Sequence, residues 1–112
     1  MRSDENTNLA FIKNMINDFC KRRGWEKYHN LKDLAIALCV EASELLDIFK
    51  WRDVTKVTSS KDLMNKVKEE LADVMIYAIL LAIRANIDLT QAILEKLEKN
   101  KQKYPEGIEY TW

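Results

Sequence analysis

Glycine, proline and histidine are nearly absent: two, one and one among 112 residues. So few breakers leave little sequence for turn-rich β architecture and favour long uninterrupted helices. A single His excludes a histidine-rich metal centre. Cys20 and Cys39 have no metal-ligand spacing, and reduced core thiols in a cytoplasmic protein are expected rather than a disulfide. Charge of one sign is missing too: Lys plus Arg and Asp plus Glu each number 18, giving no net field to attract a nucleic acid or an anionic membrane. The polar start MRSDENTN does not resemble a secretory signal, and the most apolar stretch, Val74 to Ile83, is too short to span a bilayer. With no linker, repeat or low-complexity tract, residues 1–112 are expected to form one domain with one core.

What is present is helical periodicity. Leu9, Ile12, Met15, Ile16 and Phe19 predict a first helix over about 8–23, stopped by Gly24. Asn30 with Asp33 has the form of a capping box for a second helix reaching about Trp51, with Leu31, Leu34, Leu38, Ala42, Leu45 and Ile48 on its apolar side. Residues 52–59 are polar and β-branched and are expected to be a loop. Ser59 followed by Asp62 starts a third helix, extending towards Asn86, with Leu63, Val67, Leu71, Val74, Ala78 and Leu81 on its buried side. Asp88 and Gln91 open a last helix that ends before Pro105, with Ile87 and Ala92 placed to form a hydrophobic staple. The tail EGIEYTW is expected to be irregular or packed on a partner subunit. The fold class is all-α, with four principal helices.

Two carboxylate pairs interrupt this pattern. Glu41 and Glu44, and again Glu70 and Asp73, are spaced i,i+3, so each pair leaves one side of its helix a turn apart. A single core-facing Glu is readily explained by a salt bridge or by its reaching out to solvent. Two such pairs on helices that a bundle packs roughly 8–10 Å apart are better explained by shared cations. Ligation by carboxylates alone favours magnesium, with manganese as a substitute, and magnesium so placed commonly handles phosphates. His29 lies twelve residues before Glu41, so the Glu-x-x-His pattern of di-iron bundles is absent.

The segments GWEKYHNLKDLAIALCVEASELLDIFKW, KEELADVMIYAILLAI and DLTQAILEKLEKNKQKYP resemble, in that order, the MazG-like nucleoside triphosphate pyrophosphohydrolases, and in particular their short, single-domain branch. The resemblance covers about residues 24–105. The family's Glu-x-x-Glu and Glu-x-x-Asp motifs are matched by Glu41, Glu44, Glu70 and Asp73, with Val40 where larger members carry another Glu. It implies a four-helix bundle assembled as a homodimer or homotetramer, with active sites near subunit boundaries. It also implies magnesium-dependent cleavage of a nucleoside triphosphate between the α and β phosphates, the short branch favouring dCTP or related dNTPs. The four carboxylates would be the metal ligands and catalytic residues, one of Glu41 and Glu44 accepting the proton of the attacking water.

Substrate-binding candidates follow from the same resemblance. Lys96 and Asn100 share a helix face and fall among the phosphate- or substrate-contacting positions, with Lys103 and Tyr104 as weaker candidates, although such a lysine-rich run is ordinarily a solvated helix end. Trp25, His29 and Trp51 are placed around the base pocket, where aromatic faces can stack on a nucleobase. Tyr77, one turn beyond Asp73, is placed to crowd a sugar 2′-hydroxyl. The alternative reading is a non-enzymatic helical homo-oligomeric module whose carboxylates pair with lysines across subunits. The nearly continuous apolar stretch around Met75, Ile76, Tyr77, Ile79 and Leu80 calls for partners on more than one side under either reading.

Overall fold

Five helices carry the chain in a computed structural model that describes residues 1–109: α1 Leu9–Arg22, α2 Leu31–Phe49, α3 Val54–Thr58, α4 Lys61–Arg84 and α5 Leu89–Lys103. A single 3₁₀ turn, Glu26–Tyr28, lies between α1 and α2. No strand occurs among the described residues, and none of their helices is long and apolar enough to cross a membrane. Tyr110, Thr111 and Trp112, part of the tail expected to be irregular or partner-bound, lie outside the described residues.

The helix starts are built by short polar side chains. Asn8, Asn30, Ser60 and Asp88 each accept a hydrogen bond from the backbone N–H three residues on, satisfying a donor the helix cannot. Asn30 also donates from Nδ2 to Asp33 Oδ2 at 2.8 Å, so the two side chains close on each other rather than forming a reciprocal backbone box. Gly24 ends α1 with φ +67°, and the Trp25 N–H reaches back to Cys20 O while the Gly24 N–H reaches Lys21 O. Asn86 (φ +55°) turns the chain just after α4.

Two expectations need correction. The stretch 52–59 is not all loop, because α3 occupies 54–58. Its Val57 is completely enclosed, with α3 packed on both α2 and α4, so one buried side chain organises a segment whose composition reads as irregular. Consequently Ser59 closes α3, and Ser60 is the residue that caps α4.

The α2–α4 pair dominates the packing, with α1 laid against α4. Cys20, Leu34 and Leu80 form the core where α1, α2 and α4 meet, with Ile16, Tyr77 and Leu81 against them. Ile79 and Leu80, expected to exceed one bundle's needs, are buried, whereas Met75, Ile76 and Leu71 are exposed. α5 has no buried residue and packs only marginally on the rest of the chain. Its Leu94 and Leu97 are more than half exposed. The radius of gyration is 16.9 Å, against about 13 Å for a compact chain of this length.

Val57→Ala is expected to destabilise the protein by about 2 kcal/mol, since it leaves a cavity where α3 docks. Urea unfolding of both proteins at one protomer concentration checks this; a change within error would mean that α3 is not anchored through Val57.

Candidate active site

The face that α2 turns towards α4 carries Glu41 and Glu44, and α4 answers with Glu70. One carboxylate oxygen from each of the three lies within 4.8 Å of the others. Glu41 and Glu70 are half-buried and Glu44 is exposed. Oε2 of Glu41 and Oε2 of Glu70 are enclosed and have no hydrogen-bond partner. Such orphan acceptors are rare unless a donor or a cation completes them. Three converging hard oxygens with no nitrogen or sulfur among them fit magnesium or manganese. The fourth candidate, Asp73, stands outside this trio, though its charge acts on both Glu41 and Glu70.

Crowding shows in the acidities. Burial, then the contact with Glu44, then the charges of its neighbours push the Glu41 carboxyl up from 4.5 to about 7. Glu70 is raised as well, first by burial and then by the Glu44 and Asp73 charges, although its contact with Glu41 opposes the shift. Burial favours the neutral acid, and each neighbouring anion adds to that preference. A cation would reverse both effects.

Beside the carboxylates, α1, the 3₁₀ turn and α4 enclose a cavity of about 280 Å³. Trp25, His29, Asp73 and Tyr77 all line it, so three of the four aromatic candidates meet at a cavity that shares Asp73 with the acidic pairs. The Trp25 and Phe19 rings meet edge to face at 5.6 Å, and Arg23 stacks on the other ring of that pair, Phe19, at 3.6 Å. These contacts hold Trp25 at the rim while leaving it 44% exposed. Phe19 and Cys20 also line the cavity and were not candidates; the signal was the Gly24 stop, which folds Trp25 back over the last turn of α1.

Trp51 is not brought to this cavity. It sits just past α2 with φ +63° and is 94% exposed. Lys96 and Asn100 do share a face of α5, but they line a separate hollow with Ala92, Ile93 and Leu97. Lys103 stacks on Tyr104 at 5.3 Å.

The raised acidities predict a pH dependence. The folded protein binds more protons than the unfolded chain between pH 4.5 and about 7 at Glu41, so metal-free stability should fall as pH rises through that window. Glu41→Gln should flatten the fall, and magnesium should offset it by holding the ionised form. Thermal unfolding at pH 5, 6, 7 and 8, with chelator or with magnesium, reads this; a slope unchanged by both mutation and magnesium would count against the cluster.

Comparison with known proteins identifies the family. The model of the MazG-like family matches residues 36–111. The chain is 36% identical to dCTP pyrophosphatase 1 of Mus musculus over 101 residues and 34% identical to that of Homo sapiens over 100. Each alignment covers 87% of this chain, and the chain spans 59% of the length of these curated relatives. The crystal structure of a pyrophosphatase from Archaeoglobus fulgidus superposes with a TM-score of 0.77 at 33% identity, covering 95% of this chain and 100% of that one. With the acidic pairs on facing helices and the matched region spanning both, the chain belongs to the MazG-like family.

Proposed function

We propose that the protein is a magnesium-dependent nucleoside triphosphate pyrophosphohydrolase. It would cleave a deoxynucleoside triphosphate, dCTP or a close relative, between the α and β phosphates to release the monophosphate and pyrophosphate. The observation that carries this reading is the pair of enclosed, unpartnered oxygens of Glu41 and Glu70 beside an aromatic cavity that reaches them through Asp73. The dCTP pyrophosphatases among its relatives support the substrate class.

Glu41, Glu44, Glu70 and Asp73 would hold the metal, which when bound supplies charge neutralisation for the phosphates and acidifies a ligated water. Trp25 offers a flat face for the base, and His29 offers a ring nitrogen to its polar edge. Tyr77, which lines the same cavity as Trp25 and Asp73, would favour a deoxyribose by crowding a 2′-hydroxyl. Water attacks the α-phosphorus, the bond to the bridging oxygen breaks, and the water's proton goes to Glu41 or Glu44. Whichever of the two is left outside direct ligation would be the base.

The functional unit in this reading is a homodimer or homotetramer. Support comes from exposed apolar residues on helices that a lone chain leaves uncovered, among them Ile36, Val40, Leu46, Met75 and Leu97, and from the extended shape. α5 is the element through which a second copy could supply Lys96 and Asn100 to the phosphates.

Incubation with magnesium and each dNTP should release dNMP and pyrophosphate, with dCTP among the best substrates. Orthophosphate as the product, or no turnover by folded protein, would refute the proposal. Glu41→Gln and Asp73→Asn should each lower kcat by about 10²–10³-fold while leaving the helical circular dichroism intact. Light scattering after size exclusion should give a mass of at least two chains; an active 13.2 kDa monomer would remove the oligomer from the account.

A further inference from the structure

We infer that Arg84, which does not itself line the cavity, is a positioning residue that locks the base-binding turn to the metal-bearing helix; the inference rests on the reading of the site as a nucleotide site. Trp25 and His29 flank a 3₁₀ turn, Glu26–Tyr28, that has no side-chain cap and no buried residue. Its own bonds are local: Tyr28 N–H to Trp25 O and His29 N–H to Glu26 O. Such a turn packs too little to hold a fixed orientation by itself.

The Arg84 guanidinium supplies the tie. Its Nε donates to His29 O at 3.1 Å, and its Nη2 donates to Glu26 O. Both acceptors are backbone carbonyls, so the clamp fixes the path of the turn whatever its side chains do. The Glu26 carbonyl thereby receives Arg84 as well as the His29 N–H. A rigid planar fork reaches two carbonyls at once, whereas a lysine ammonium would have to choose between them.

The position of Arg84 gives the clamp its meaning. Asp73, Tyr77, Leu80 and Arg84 follow one another at spacings of four, three and four, which is a single stripe on α4. The first three line the cavity. Along a helix, Asp73 and Arg84 stand about 16 Å apart. One continuous helix therefore carries a metal-site carboxylate near its middle, the sugar-facing ring a turn later, and the anchor of the base-contacting turn at its end. The spacing between base and phosphate subsites is then set by α4 rather than by the exposed connection 23–30.

Arg84→Met should raise KM for dCTP about tenfold while kcat stays within about twofold, the size expected from losing hydrogen bonds made by a charged donor. Inhibition by magnesium tripolyphosphate, which has no base, should be unchanged, and Arg84→Lys should fall between. Amide hydrogen exchange at His29 should quicken in Arg84→Met while the amides inside α4 keep their protection. Equal weakening of dCTP and tripolyphosphate, or an unchanged KM, would overturn the inference. If the wild-type protein turned over no nucleotide, the proposed function would fail, and unchanged exchange at His29 would then refute the clamp by itself.

Discussion

Carboxylates that face one another across packed helices repel, yet α2 and α4 form the dominant packing pair and carry Glu41 and Glu44 opposite Glu70. Apolar burial elsewhere along the pair, at Leu34, Ile48, Ile79 and Leu80, has to hold the acids together against that repulsion. Proton uptake relieves part of it: burial first, then the contact with Glu44 and the neighbouring charges, raise Glu41 to about 7. This opposition explains several features at once. The acids sit near the middles of α2 and α4, and the enclosed Oε2 atoms of Glu41 and Glu70 have no protein donor that would compete with a cation.

The second consequence concerns how the core is distributed. α1 docks on α4 around Cys20 and Leu80, α3 seals the opposite end with Val57, and α5 stands almost clear. A chain that leaves a helix with an apolar stripe this exposed has surface to share, and its radius of gyration exceeds that of a compact monomer. Placement of the cationic candidates Lys96 and Lys103 on that same helix separates them from the acids within one chain. The proposed assembly would bring opposite charges together without the two ever competing inside a single fold.

Between these two regions, the chain reversal at Gly24 matters more than its length suggests. A left-handed residue at the end of α1 sends Trp25 back over Phe19, and the 3₁₀ turn that follows sets His29 against α4. The cavity exists because three elements of different origin meet there, and only one of them, α4, also carries part of the acidic cluster.

Much of this was legible in the residues. Scarce glycine and proline, helical periodicity and the polar caps at Asn30 and Asp88 determined an all-α chain, because local hydrogen bonding and the 3.6-residue repeat are properties of short segments. The two i,i+3 carboxylate pairs were visible for the same reason, and so was the family they resemble. The closeness of Glu41, Glu44 and Glu70, the meeting of Trp25, His29 and Tyr77 at one cavity, and the absence of Trp51 from it depend on how helices lie against each other. α3 belongs to that second group, since five polar and β-branched residues become a helix only once Val57 has a place to be buried. Periodicity determines which face a residue occupies; tertiary packing alone decides what that face meets.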